Sequence, residues 1–335
     1  MKSNLFFDDI IFDLQRFGGI SEYWRQLTNS SVIRECFNIE HVGRLKAPTN
    51  VNKSVAKFIS CDVPDKPNSV FHSSYYRLPS KNVPSIVTVH DFIYEKRSSG
   101  ITKFLNSYQI RKSIRSADSI VCISNSTKND LLDLMPEIDE QRVDVVYHGV
   151  DHSIFNHSRN LQADYMQYSD CVVFVGKRSG YKNFTLAVAA LTEFKEMRLL
   201  IVGEKITQGE REALDKALGN RWVCLQGISN QELASVYRHC FCLLYPSDYE
   251  GFGMPLIEAM ASGCPIITSG ARALVEVGGA ASLKSDNGDI DSYLHNLKRV
   301  SADRDVIIES GLEHAQKFHW DFTAKKMLSI YQNYE

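Results

Sequence analysis

No stretch of this 335-residue sequence reaches the ~18 consecutive apolar residues that a membrane-spanning helix needs. The N-terminal MKSNLFFDDIIFDLQRF meets Asp8 and Asp9 before the apolar core of a signal peptide could form. A cytoplasmic protein is expected, at most peripheral on the inner face of a membrane. Charge of one sign is also lacking, since 38 Lys and Arg stand against 40 Asp and Glu for a net charge of -2. Nothing in that balance calls for a nucleic-acid partner. The eight cysteines form no Cys-x-x-Cys pair and fall mostly in apolar stretches such as SIVCIS and CVVFVG, the pattern of buried reduced thiols. Cys240 and Cys242, without further ligands nearby in sequence, make a poor zinc site. Neither half carries Gly-x-Gly-x-x-Gly after its first strand, which argues against a nicotinamide dehydrogenase. There is no low-complexity tract and no short fixed repeat, so disorder and a solenoid are both excluded.

What is present is an ordinary globular composition, 44% hydrophobic and 23% charged, in a chain long enough for two domains. Short apolar runs alternate with helix-like segments: SIVTVHDF, DSIVCIS and RVDVVYHGV in the first half. CVVFVG, RLLIVG, WVCLQG and CFCLLYP follow in the second. Strand alternating with helix implies a parallel sheet, hence an α/β fold. The polar stretch SRNLQADYMQYSD reads as a linker. The domains expected are 1–160, 161–318 and a closing segment 319–335.

In open parallel sheets ligands gather beyond the carboxyl ends of the strands. The most informative such loop lies in CFCLLYPSDYEGFGMPLIEAMASGCPIITS, which reads as strand, loop, short helix and strand. Pro255 suits the first turn of that helix and Gly263 its end. Gly251 and Gly253 let backbone N–H groups approach a ligand closely, and a glycine loop feeding a helix N-terminus suits a diphosphate. Glu250 and Glu258, seven residues between them, bracket this turn. Carboxylates accept hydrogen bonds from hydroxyls, so the pair points to a ribose and a sugar. An isolated pair of Glu is more often two solvated helix-end charges; the Gly-x-Gly turn at a strand end reverses that weighting here. In FVGKRSGYKNF, Arg178 and Lys182 follow a strand and precede a helix that Asn183 could cap. Two cations there suit a diphosphate.

This segment resembles the Glu-x7-Glu motif of the retaining family-4 glycosyltransferases with the GT-B fold, almost throughout PSDYEGFGMPLIEAMASGCPIITS. KFHWDFTAKKMLSIYQNYE resembles that family's closing Trp-containing helix. The resemblance implies two Rossmann-like domains facing a central cleft, with the C-terminal helix returning to the first domain. It places Glu250 on the donor sugar and Glu258 on the ribose. Gly251, Phe252, Gly253 and Met254 then form the diphosphate loop, and Arg178 and Lys182 stabilise the leaving nucleoside diphosphate. It assigns His90, at the end of SIVTVHDF, to the donor sugar, oriented by Asp91, and it raises Gly18 and Gly19 from a common turn pair to a second glycine loop. His148 stands where the family commonly has Asn.

The activity implied is retaining, metal-independent transfer of a hexosyl group from a nucleotide sugar, best GDP-mannose, to a lipid-linked glycan acceptor in O-antigen or capsule synthesis. No cofactor is expected, since Arg178, Lys182 and the helix before Glu258 stand in for a divalent ion. The Asp-x-Asp at Asp289 to Asp291 reads as a helix start. UDP sugars stay open as donors. A sugar-nucleotide epimerase and a catalytically silent nucleotide-sugar-binding scaffold are the alternative functions. Two readings stay open elsewhere. VFHSSYYRLP, with His72, Tyr75, Tyr76 and Arg77, is either an acceptor site or a cover for the sheet edge. Arg111, Lys112 and Arg115 are either a patch for anionic lipid or a solvated helix face.

Overall fold

The computed structural model describes residues 2–15, 18–43, 58–97, 100–157 and 163–335. The chain divides into two compact units, Met1–Gly149 with Trp320–Glu335, and Val150–His319. The first unit is built on β1 (Ser3–Asp8), β2 (Phe37–Val42), β3 (Ser69–Ser73), β4 (Ser85–Val89), β5 (Ser119–Cys122) and β6 (Val143–Val145). These lie in the order β2-β1-β3-β4-β5-β6, and every pair is parallel. The second unit contains β7 (Cys171–Val175), β8 (Arg198–Gly203), β9 (Trp222–Gln226), β10 (Cys242–Tyr245), β11 (Ile266–Thr268) and β12 (Leu283–Lys284). They too are all parallel, in the order β12-β11-β10-β7-β8-β9. Each unit is thus Rossmann-like. Central strands such as CVVFV and SIVTV are buried along almost their whole length because helices cover both faces of a parallel sheet.

Three strands of the first unit do not show as apolar runs in the sequence. SNLFFD ends on an acid, SVFHS carries a histidine, and FNIEHV alternates because β2 is an edge strand with only one residue fully buried. Helices in the second unit begin where their caps dictate. Thr207 with Glu210, and Ser229 with Glu232, form reciprocal capping boxes at the starts of Gln208–Leu218 and Asn230–His239.

The helix Trp320–Gln332 belongs to the first unit. Ala324, Met327, Ile330 and Tyr331 are buried in its core. The Tyr331 hydroxyl meets His72 Nδ1 at 2.7 Å, and Thr323 Oγ1 donates to the Tyr147 carbonyl at 2.7 Å. The chain crosses between units after Gly149 and after His319, whereas the sequence suggests a break at 160/161, which lies outside the described residues. Val150 is already bound into the second unit, since its N–H donates to the Phe318 carbonyl at 3.1 Å and it bridges His319 in parallel.

Three histidines are sealed into the core of the first unit, His72 fully and His90 and His148 at 3% exposure. Burial pushes the imidazoles of His72 and His90 down to about 3 and that of His148 well below its ordinary range. A depressed folded value means that the unfolded chain takes up protons first as pH falls. Stability should therefore be flat above pH ~6.5 and decline below it, toward pH 3, by up to about 1.4 kcal/mol per pH unit for each histidine. Thermal unfolding between pH 8 and 5 measures this, and a melting temperature that stays level to pH 5 refutes it.

Candidate active site

In a sheet ordered β12-β11-β10-β7-β8-β9 the chain winds outward in opposite directions from β7 and β10. The crevice beyond their carboxyl ends is the switch point where such folds bind ligands. The loops leaving these two strands carry Lys182 and Glu250. The Lys182 ammonium donates to Glu250 Oε1 at 2.6 Å and to the hydroxyl of Tyr245, the last residue of β10. The Tyr245 hydroxyl in turn donates to Glu250 Oε1 at 3.0 Å. Both charged side chains are nearly enclosed, 13% and 12% exposed. The ammonium also lies 4.7 Å from the Tyr245 ring centroid and 5.4 Å from that of Tyr181.

The two loops are tied together through Asn183. It sits at the N-cap of Phe184–Glu193 but in left-handed conformation, φ 51°, and makes no capping bond. Its amide donates instead to the Pro246 carbonyl at 3.0 Å and to Asp248 Oδ1 at 2.6 Å, while the Asp248 N–H donates to the Tyr181 carbonyl at 2.8 Å. The expected helix cap is thus a loop clamp, because the side chain faces the neighbouring strand's loop rather than its own helix.

Beyond Glu250 the chain turns at Gly253 into the helix Met254–Ala261, with Pro255 in its first turn. Gly253 has φ 99°, and a Cβ there would lie 2.6 Å from Leu274 Cδ2, so only glycine fits. Gly251 is not among the left-handed residues. The Phe252 ring is buried against Phe318, 6.0 Å between centroids, which leaves its backbone rather than its side chain for a ligand. Gly263, φ 76°, ends the helix as expected, with the Cys264 N–H returning to the Ala259 carbonyl. Gly253→Ala should cost about 1–3 kcal/mol, read as a lower urea midpoint; an unchanged midpoint would show that the turn relaxes freely.

Glu258 lies on this helix and accepts from the buried Tyr237 hydroxyl at 3.4 Å. Both Glu250 and Glu258 help raise Tyr245, which burial chiefly pushes well above the ordinary phenol range. Arg178, expected beside the diphosphate with Lys182, is bound to a neighbouring loop and helix. Its Nε and Nη2 grip Glu210 at 2.8 and 3.1 Å, and Nη1 and Nη2 donate to the carbonyls of Glu204 and Lys205. The guanidinium is 5% exposed, and its hydrogen bond, with the Thr207 cap, holds Glu210 down at about 2. Arg178 locks the loop after β8 to the start of the next helix. Lys182 is the cation that the structure joins to Glu250.

In the first unit His90 follows β4 directly. Its ring is stacked on His148 at 5.9 Å with 14° between planes, and Tyr23 and Tyr75 pack edge-on at 5.4 and 6.2 Å. His90 Nε2 is buried and has no hydrogen-bond partner among the described residues. The Asp91 carboxylate accepts from the Ile93 N–H at 3.0 Å, and its carbonyl accepts from the Tyr75 hydroxyl. Gly18, φ 138°, caps the helix that Gly19 opens, and a Cβ on Gly18 would collide with Gln15.

The structure decides the first of the two readings that the sequence leaves open. His72 is held between Tyr331 and Thr88 Oγ1, Tyr75 and Tyr76 are core residues, and Arg77 is paired with the fully buried Asp8. These four residues build the interior instead of an acceptor surface. Arg111 donates to the Leu134 carbonyl, and Arg115, half exposed, pairs with Glu137 on the surface. Asp289 caps the helix Ile290–Ala315 by accepting from the Asp291 N–H. All eight cysteines are free thiols, and no group of three His, Cys, Asp or Glu among the described residues could hold a metal ion. Among them, too, no helix is long and apolar enough to cross a membrane. A groove of about 470 Å³ runs along the edge strand β9 between Lys205, Arg211 and Trp222, and neither Lys182, Glu250 nor Glu258 lines it.

Residues 65–154 match the model of Glycosyltransferase Family 4, and residues 167–318 match that of Glycosyl transferases group 1. Among curated proteins, the O-antigen chain mannosyltransferase B of Escherichia coli is 30% identical over 135 residues, 39% of this chain and 34% of that protein. The D-inositol 3-phosphate glycosyltransferase of Acidothermus cellulolyticus is 27% identical over 243 residues, 66% of this chain and 54% of that one. The chain thus spans between a third and just over half of the length of these two relatives. Sucrose-phosphate synthase from Thermosynechococcus elongatus has the same fold, with a TM-score of 0.78 at 19% identity over 99% of both chains. So has Anabaena HepE, solved with UDP and glucose, with a TM-score of 0.74 at 13% identity over 99% of this chain and 100% of that one. The second match encloses the Lys182–Glu250 site and the first encloses His90, so the chain carries a segment similar to Glycosyltransferase Family 4 followed by one similar to Glycosyl transferases group 1.

Proposed function

We propose that the protein transfers a hexosyl group, with retention and without a metal ion, from a nucleoside diphosphate sugar to a glycan acceptor of a surface polysaccharide. The observation that carries this reading is the enclosed Lys182–Glu250 pair at the β7/β10 switch point, beside a helix entered through Gly253. A helix N-terminus and an ammonium group attract a diphosphate, and a carboxylate one loop away accepts from sugar hydroxyls. As the glycosidic bond breaks, negative charge grows on the departing diphosphate. Lys182 and the helix end then stabilise it more in the transition state than in the ground state. Glu258 takes the ribose hydroxyls, and the backbone at Gly251, Phe252, Gly253 and Met254 lines the phosphates. The neutral imidazole of His90, its buried Nε2 unmatched within the described protein, is available to a sugar hydroxyl.

The donor in this reading is GDP-mannose and the acceptor a lipid-linked glycan, supported by the likeness to the O-antigen chain mannosyltransferase. The test is thermal shift of the purified protein with GDP, UDP and ADP and their hexose conjugates, first with EDTA and then with Mg²⁺. A ligand bound only by the native state raises the melting temperature, by about 2.7 kcal/mol of added stability at a hundredfold excess over Kd. A shift with GDP and GDP-mannose in EDTA is the expected result. A shift confined to UDP sugars overturns the donor assignment, a shift that needs Mg²⁺ overturns metal independence, and no shift at all overturns the site.

A further inference from the structure

The hydroxyl of Tyr245 occupies a position that the reaction as proposed does not use. It accepts from the Lys182 ammonium and donates to the same Glu250 oxygen that the ammonium bonds, so each side of the ion pair is also bound to one shared hydroxyl. The ring is 1% exposed and lies in the core at the end of β10. A phenol has one donor and an acceptor, and here both are engaged in the charge pair.

We infer that Tyr245 is a positioning residue that lets Lys182 leave Glu250 for the incoming diphosphate. Separating an enclosed ion pair is costly because each charge loses its partner in a place that water barely reaches. When the ammonium turns toward phosphate, the Tyr245 hydroxyl stays hydrogen-bonded to Glu250 Oε1 and keeps the carboxylate satisfied until a sugar hydroxyl arrives. The ring meanwhile stays in cation–π range of the Lys182 ammonium, 4.7 Å from its centroid. The hydroxyl thus acts through Lys182 and Glu250 and touches neither bond that is made or broken. This inference rests on the diphosphate reading of the site.

Tyr245→Phe separates the two roles, because it keeps the ring, its packing and its cation contact and deletes only the hydroxyl. Calorimetric titration of GDP, with UDP in parallel, should show affinity about tenfold weaker than wild type, the effect of one hydrogen bond to a charged group. The same substitution made in a Lys182→Ala background should change affinity by less than about twofold, since the hydroxyl then has no ammonium to release. A merely structural loss would persist undiminished in that background and would overturn the inference. So would undiminished affinity in Tyr245→Phe alone. A wild-type protein that binds neither GDP nor UDP overturns the diphosphate reading itself, and the role of Tyr245 with it.

Discussion

Lys182→Ala should lower transfer about 10²–10³-fold while leaving the melting temperature within a few degrees of wild type. Removing one preorganised group aimed at developing negative charge has an effect of that order, and Lys182 is the cation that the structure places with Glu250 at the switch point. Glu250→Ala should also abolish measurable transfer without unfolding the protein. Steady-state turnover of each variant, with circular dichroism to check the fold, measures both, and unaltered turnover removes the residue from the site. Arg178→Ala should behave differently. Its guanidinium binds Glu210 and two carbonyls, so its loss should lower the melting temperature along with activity.

Asp8→Ala should cost the first unit about 3–5 kcal/mol. The carboxylate is fully buried and accepts from Arg77 Nε at 3.0 and 3.2 Å, from Ser74 Oγ at 2.6 Å and from the Ile10 N–H at 3.3 Å. Arg77 is itself only 5% exposed. Without Asp8 its charge keeps the Gly43 carbonyl as an acceptor and loses the carboxylate that it is bonded to. A fall in melting temperature of about 10 °C follows for a unit of this size. Replacing both partners with Leu and Met should recover part of the loss, because no charge is then stranded while the Ser74 hydroxyl, the Ile10 N–H and the Gly43 carbonyl still lose a partner. Arg115→Ala, which opens the exposed pair with Glu137, should leave the midpoint unchanged. A small effect for Asp8→Ala would mean that water reaches Arg77 and that the pair is less enclosed than its geometry.

The second unit was the more legible in sequence because its chemistry is local. Strand, glycine turn, proline-started helix and second acid fall within thirty consecutive residues, and each has a short-range physical signature. Its strands, buried on both faces, stand out as unbroken apolar runs. Contacts distant in sequence left no such mark. Arg178 and Lys182 are four residues apart and chemically alike, yet one is claimed by Glu210, 32 residues on, and the other by Glu250, 68 residues on. Nothing in FVGKRSGYKNF separates them. Tyr245 lay within the motif but read as the last apolar residue of a strand, although its place at the carboxyl end was the available signal. In the first unit the opening strands escaped notice because edge exposure and the terminal acids of β1 break the apolar pattern. His72, Tyr75, Tyr76 and Arg77 looked like ligand-facing residues at a strand end. Their partners are Asp8 and Tyr331, far away in the chain.

The helix Trp320–Gln332 also sets an order on biosynthesis. The His72 imidazole finds its hydroxyl partner on Tyr331, and the core around Trp24 and Phe7 is closed by Met327 and Tyr331. The second unit, residues 150–319, is continuous and lies between these two pieces. At ~5–20 residues per second, roughly 10 to 30 s of translation separate Gly149 from the helix that completes the first unit. The part of the chain made first therefore waits on the ribosome with an open apolar face, while the part made in the middle can finish folding before it.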